Sequence, residues 1–348
     1  MTDIDPATIE TASLTHVGRV RAANQDSCAE FADAVTYRML VLADGMGGHQ
    51  GGEVASRIAV QAIGEVMGAS TDGPEAALRH AFEVANERIL QAASADHQYA
   101  GMGTTGVALL IAASGNAWVA HVGDSRAYVL RGGKMIALTA DHSYVAELQR
   151  RGLITPDEAA VHPRRNEVLR SIGGEPAIDV EIRSVPALPG DCFMLCSDGL
   201  WGCVPEAEVV STLLQERPAE ATRKLVDLAN QHGGPDNVTV QVAWIPDGSS
   251  RPSAGLDRSA PLEPDADSSR ADWERAIAST AVARGQQRIR RVAIGALLLL
   301  AAVVLAAFLA AVVYGLREGE RGSAVASPAP HPDPAQPPAE ASHSENGP

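Results

Sequence analysis

Four aspartates stand where the chain also places glycine. They are Asp44 in Val41-Leu42-Ala43-Asp44-Gly45-Met46-Gly47-Gly48-His49, Asp124 in Gly123-Asp124-Ser125-Arg126, Asp198 in Ser197-Asp198-Gly199-Leu200, and Asp236 in Gly233-Gly234-Pro235-Asp236-Asn237. Three follow apolar runs and the fourth precedes one. A carboxylate at the end of a buried strand cannot wander, and an adjoining glycine lets the chain turn so that a main-chain carbonyl stands bare beside it. Oxygen ligands of this kind hold hard cations. Each Asp taken singly is an ordinary turn residue. If the four meet, their like charges destabilise the fold until cations neutralise them. A set with no His or Cys favours Mg²⁺ or Mn²⁺, and two such ions can activate a water and polarise a phosphoryl group. Arg21 adds a planar fork suited to phosphate oxygens, and Asp26 follows it across a polar turn. Alone, that pair reads better as a surface ion pair. The residues themselves therefore support a two-metal phosphoryl hydrolase as a candidate and go no further.

The elements that must position these residues are legible in the hydrophobic pattern. Tyr37 to Ala43 is apolar at nearly every position, as is a strand with both faces covered. Thr104 to Ala113, Ala117 to Val122, Ala127 to Leu130, Val180 to Val185, Cys192 to Cys196 and Val238 to Ile245 are further strands. Val54, Ala55, Ile58, Ala59, Ala62, Ile63, Val66 and Met67 recur at helical spacing, as do Leu78, Phe82, Ala85 and Ile89. Pro205 to Leu214 and Pro218 to His232 are also expected to be helical. Residues 139–174 break the pattern, with short helices near Val145 and Pro156 and a basic stretch at His162-Pro163-Arg164-Arg165-Asn166. They read as an excursion over the sheet edge and a natural place for substrate selectivity. Residues 1–12 read as a loose acidic lead-in.

Charge narrows the function classes. At −15 the chain repels phosphate backbones, and residues 1–245 contain no basic patch, so nucleic acid is not expected as a partner. Cys28, Cys192, Cys196 and Cys203 form no metal-binding spacing and are read as buried reduced thiols. Residues 1–20 lack the apolar core of a signal peptide. Beyond Pro246 the composition turns to Pro, Ser, Asp and Arg, and 246–291 is expected to be a disordered linker and juxtamembrane segment. Residues 292–316 carry no charge over 25 positions, enough to cross a bilayer as one helix. Arg284, Arg288, Arg290 and Arg291 precede the run, which places the N-terminal domain in the cytoplasm and the Pro-rich, disordered tail 317–348 outside.

The ordered motifs Arg21-x-x-Asn24-Gln25-Asp26, Asp44-Gly45-Met46-Gly47-Gly48-His49, Gly103-Thr104-Thr105, Gly123-Asp124-Ser125-Arg126, Leu138-Thr139-x-Asp141-His142-Ser143, Ser197-Asp198-Gly199-Leu200 and Gly234-Pro235-Asp236-Asn237 resemble those of the PPM (PP2C-type) metal-dependent protein Ser/Thr phosphatases, in particular the bacterial membrane-anchored branch. The likeness spans about residues 13–245. It implies an α+β fold, a four-layer αββα sandwich of two packed antiparallel sheets flanked by helices, with the linker and single transmembrane helix following. It implies that Asp44 bridges two Mn²⁺ or Mg²⁺ ions, that the Gly45 carbonyl binds the second, and that Asp198 and Asp236 complete the first. Asp124, with Asp198, matches the holder of a third, weaker ion. Asp26 would order a water on the metals, Arg21 would clamp the substrate phosphate, and 139–174 would be the flap. Two positions depart from the family pattern. Met46 stands where some relatives carry a His proposed as general acid, which leaves His49 as a nearby candidate. Gln25 stands where many carry Glu, which removes one charge near the second metal.

The activity so implied is hydrolysis of phosphoserine and phosphothreonine, opposing a membrane Ser/Thr kinase. Two alternatives remain open at this stage. One is a catalytically silent membrane-tethered module that binds phosphoproteins, and the other is a two-metal nuclease or phosphodiesterase.

Overall fold

The structure is a computed structural model of the 348-residue chain and describes residues 3–33, 35–47 and 51–247. The strands are β1 Glu10–His16, β2 Asp26–Asp33, β3 Tyr37–Met46, β4 Gly103–Thr104, β5 Gly106–Ala112, β6 Asn116–Val122, β7 Arg126–Arg131, β8 Lys134–Ala137, β9 Glu181–Pro186, β10 Cys192–Cys196 and β11 Val238–Trp244. The helices are α1 Gly51–Ala69, α2 Pro74–Ala95, α3 Tyr144–Arg150, α4 Pro156–Ala160, α5 Asp198–Trp201, α6 Glu206–Gln215 and α7 Pro218–Gln231.

Two antiparallel sheets form. One runs β1-β11-β10-β7-β8 and the other β2-β3-β5-β6-β9, with β4 paired to β3. The continuous apolar runs are explained by the period of two along a strand. In the second sheet Met39, Val41, Ala43, Ala108, Leu110, Ala120 and Val122 pack under α1 and α2. Their neighbours Leu40, Leu42, Val107, Leu109, Ile111 and Val119 face the other sheet, where they meet Phe193, Leu195, Val129 and Ala243. The first sheet turns Cys192, Met194, Cys196, Val238, Val240 and Val242 outward against α6 and α7. Three apolar layers between four layers of secondary structure make the αββα sandwich expected from the resemblance.

Several local readings change. The lead-in is not loose: β1 already begins at Glu10, and Ile4 and Ile9 are buried in the layer between the sheets. Asp5 caps a short 3-10 turn at Pro6–Thr8 by accepting from the Ala7 N–H. Their neighbours in space, not in sequence, supply the burial. The expected single strand from Thr104 is split, because the main chain of Thr105 leaves the ladder, its N–H donating to the Asp44 carbonyl at 2.8 Å. Burial raises the thiols of Cys28 to about 11 and Cys196 to about 12, so both are inert protonated cysteines.

No helix among the described residues is long and apolar enough to cross a membrane. The apolar run 292–316, the linker 246–291 beyond Asp247 and the tail 317–348 lie outside the described residues.

Phe193 is fully buried between the sheets. Phe193→Ala is expected to lower unfolding free energy by about 3–5 kcal/mol, read from urea denaturation of the purified protein.

Candidate metal centre

Antiparallel pairing brings one end of both sheets together. β2 starts at Asp26 directly opposite Asp44 on β3. Asp124 follows the end of β6, Asp198 follows β10, and Asp236 precedes β11. Arg21, Asp44, Gly45, Asp124, Asp198 and Asp236 all line one cleft of about 280 Å³. The structure thus gathers every proposed metal and phosphate residue, while Asp26, the residue expected to order a water, is buried opposite Asp44. His49 falls outside the described residues.

Asp44 is not at a strand end, as its sequence suggested. β3 continues through it to Met46, because β4 pairs Gly45 with Thr104 and Met46 with Gly103. The Asp44 N–H donates to Thr105 Oγ1 at 3.0 Å, and its carbonyl accepts from Thr104 Oγ1 at 2.8 Å. The backbone is held on both sides, so the carboxylate is aimed by a ladder and not by a loop. A Cβ on Gly45 would overlap the carbonyl oxygens of Gly52 and Gln25, so the N-terminus of α1 packs directly on this residue.

Asp26 binds across the sandwich. Its Oδ2 accepts from Ser197 Oγ at 2.8 Å and from Thr239 Oγ1 at 2.6 Å, both on the other sheet's side, while its buried Oδ1 finds no partner among the described residues. Like charges directly opposite each other on paired strands are unfavourable, and here they are cross-strand neighbours by register. The cost appears as titration. Burial, followed by the charges of Asp26, Asp198, Asp124 and Asp236, pushes the Asp44 carboxyl well above the usual carboxylate range. Burial raises Asp26 and Asp124 each to about 6 and Asp198 to about 7. Crowded carboxylates, an orphaned buried oxygen and a glycine carbonyl position form an all-oxygen donor set. That set fits hard divalent cations and no soft metal.

Arg21 is exposed at the rim, and its Nη2 donates to Asp236 Oδ2 at 2.7 Å. Its partner is therefore Asp236 and not Asp26, the surface pairing that spacing alone favoured.

Several residues that position the site were quoted in the motifs without a role. Asn237 accepts the Gln25 N–H at 2.8 Å through Oδ1, and its Nδ2 donates to the carbonyls of Val17 and Ala23 at 2.9 Å each. One side chain thereby closes both ends of the loop that carries Arg21. The signal was its type: an Asn side chain imitates a backbone peptide group in turns. Thr105 Oγ1 also meets Ser125 Oγ at 2.7 Å, tying the Asp44 strand to the Asp124 turn. From the excursion, Asn166 and Val168 reach the cleft wall.

A family model described as Protein phosphatase 2C matches residues 16–232. The chain belongs to the protein phosphatase 2C family. Among its relatives is the serine/threonine phosphatase stp of Listeria innocua, 39% identical over 232 residues that span 65% of this chain and 92% of that protein. The crystal structure of the Mycobacterium tuberculosis serine/threonine phosphatase PstP/Ppp aligns with a TM-score of 0.63 at 38% identity, covering 68% of this chain and 99% of that one. A PstP catalytic domain in complex with two manganese ions aligns at 0.62 and 37% identity, covering 69% and 99%.

Two outcomes are expected for this phosphatase 2C domain. A carboxyl whose folded pKa is raised stabilises the fold at low pH and loses that contribution as pH climbs through the folded value. For Asp26, Asp124 and Asp198 that window runs from about 4 to about 7. Metal-free protein should therefore lose thermal stability from pH 5 to pH 7.5, and Mn²⁺ should raise the melting temperature more at pH 7.5 than at pH 5, as read by differential scanning fluorimetry. Gly45→Ala must displace backbone and is expected to cost about 1–3 kcal/mol of stability and to weaken Mn²⁺ binding in calorimetry.

Proposed function

We infer that the cleft hydrolyses phosphoserine and phosphothreonine in proteins with divalent-metal assistance. The observation that carries this reading is the convergence of Asp44, Asp124, Asp198 and Asp236 with Arg21 in one cleft. Asp44, the Gly45 carbonyl, Asp198 and Asp236 would hold two Mn²⁺ or Mg²⁺ ions, and Asp124 with Asp198 a third. Bound there, such ions polarise the phosphoryl group and make a water nucleophilic at neutral pH. The chain's own residues do the rest. Arg21 has five N–H donors; one nitrogen is engaged by Asp236, which leaves the others for phosphate oxygens at the cleft mouth. Asp26, fixed by Ser197 and Thr239 directly opposite Asp44, would order the attacking water. The new P–O bond forms to that water's oxygen as the bond to the serine or threonine oxygen breaks, and that oxygen takes up a proton.

The anchoring is also proposed. The charge-free run 292–316 and the four arginines before it support a single-pass cell-membrane protein with the catalytic domain in the cytoplasm and the tail outside. A shared membrane would raise the local concentration of a membrane Ser/Thr kinase and its phosphorylated products, which makes such a kinase the natural opposing partner.

The purified chain with Mn²⁺ should release phosphate from a phosphothreonine peptide. Asp44→Asn should abolish release, and Arg21→Ala should lower kcat/KM by ~10²–10³-fold. Mn²⁺ binding without any release would instead identify a silent phosphoprotein-binding module. Turnover of a phosphodiester and no phosphomonoester would identify a nuclease or phosphodiesterase. Sedimentation of the full chain with membranes, and its release on deletion of 292–316, tests the anchor.

A further inference from the structure

We propose that His142, steered by Glu181, is a positioning residue that locks the root of the 139–174 segment onto the turn presenting Asp124. The proposal rests on the phosphatase reading of the cleft. It concerns how the segment over the cleft is coupled to the carboxylate beneath it.

Three consecutive residues of the segment root grip the β6–β7 turn at three successive points. The Ala140 carbonyl accepts from His121 Nε2 at 3.0 Å, at the end of β6. Asp141 takes both arms of Arg126, at 2.9 and 2.7 Å, at the start of β7. Arg126 lies 3.6 Å from the Trp201 ring centroid, and the Trp201 indole N–H donates to the Asp124 carbonyl at 3.1 Å. Between these two grips His142 holds the turn itself. Its backbone N–H donates to the Gly123 carbonyl at 3.0 Å, and its Nδ1 accepts from the Gly123 N–H at 3.1 Å. Gly123 has a φ of +105°, a conformation that takes its peptide out of the strand ladder. The histidine supplies the partners that a neighbouring strand would have supplied.

This arrangement works in one tautomer only. Because Nδ1 accepts, the proton of the neutral ring sits on Nε2. Nε2 lies 3.4 Å from Glu181 Oε1, close enough for charge attraction though without the geometry of a hydrogen bond, and a negative charge there favours the proton on that nitrogen. With the proton on Nδ1, two donors would oppose each other at Gly123. Glu181 also pairs with Arg170 at 3.5 Å, near the far end of the same segment. The two ends meet again where the Leu169 N–H donates to the His142 carbonyl at 2.7 Å. Asn166 and Val168, just before, line the cleft beside Asp124. A displacement of the segment is thus transmitted to the Asp124 turn.

His121, His142 and Glu181 place ligand atoms within 4.8 Å of one another, which invites a metal triad instead. The ring geometry opposes it. The two imidazoles are stacked at 4.6 Å with planes 24° apart, so their in-plane lone pairs run side by side and do not converge. His142 Nδ1 is already committed to Gly123. Burial holds His121 down at about 4, so it is a neutral ring whose Nε2 proton goes to Ala140.

The test uses the metal-free full-length chain with ¹⁵N-labelled histidines. Wild-type His142 is expected as the Nε2–H tautomer, and Glu181→Gln is expected to shift it toward a mixture. Hydrogen exchange at the Gly123 amide should speed up about tenfold or more in His142→Ala. It should speed up less in His142→Asn, which keeps an acceptor at the δ position and serves if the alanine variant does not fold. With Mn²⁺, Glu181→Gln should lower kcat/KM for a phosphothreonine peptide about tenfold while changing aryl phosphate turnover less than about twofold. An Nδ1–H ring in the wild type, or Gly123 exchange indifferent to both His142 variants, would overturn the proposal. So would Zn²⁺ held by the wild-type chain and lost in His142→Asn. The tautomer and exchange readouts need neither metal nor substrate, so they stand or fall apart from the phosphatase activity.

Discussion

The structure depends on holding several carboxylates together in one partly buried place. Asp26 and Asp44 are cross-strand partners, and Asp124, Asp198 and Asp236 converge on the same end of the sandwich. Water would normally separate such charges; here the two sheets do not let them part. Burial first, and then for Asp26, Asp44 and Asp198 the neighbouring carboxylates of the cluster, raises the carboxyl pKa values of this site. A divalent cation relieves the constraint, so the same crowding that weakens the empty fold creates affinity for the ion. Stability and function are therefore coupled through one electrostatic term.

Neutral groups make the crowding tolerable. Ser197 and Thr239 donate to one oxygen of Asp26 from the opposite sheet, Thr104 and Thr105 hold the main chain of Asp44, and Asn237 pins the Arg21 loop. These side chains add no charge to an already acidic site, yet each removes a degree of freedom from a charged one. Arg21 is the exception in being exposed, with an ion pair to Asp236. A group that must meet an incoming phosphate is better placed at the rim than locked inside. The excursion between β8 and β9 stands at the other wall, contributing Asn166 and Val168. Its roots are tied to the scaffold through Asp141 and His142, while exposed residues such as Leu153 and Val161 lie farther out.

Much of this was legible in the residues. Continuous apolar runs such as Tyr37 to Ala43 required strands covered on both sides, because a period of two sends alternate side chains into two different cores. Helical spacing in 54–67 and 78–89 required two amphipathic helices, and they cover one face. Asp-Gly at 44 and 198, Gly-Asp at 124 and the glycine two residues before Asp236 marked the carboxylates that converge. What was misread was local. Residues 4 and 9 looked like part of a polar lead-in because their burial comes from strands far along the chain. Asp44 looked like a strand end because glycine usually ends a strand; the two-residue β4 extends the ladder past it.

The amino-acid sequence by itself determined the periodicities, the breaks and the chemical types: which segments bury two faces, which carboxylates adjoin glycine, and which ions that donor set prefers. Those are properties of a residue and its near neighbours. Only the tertiary structure decided that Arg21 pairs with Asp236, that Asp26 is held by Ser197 and Thr239, and that His142 closes on Gly123. Each of these links residues distant in sequence, and a hydrogen bond requires direction and a separation near 3 Å that spacing along a chain cannot encode. Register between strands sets those distances, and register is a property of the packed sheets as a whole.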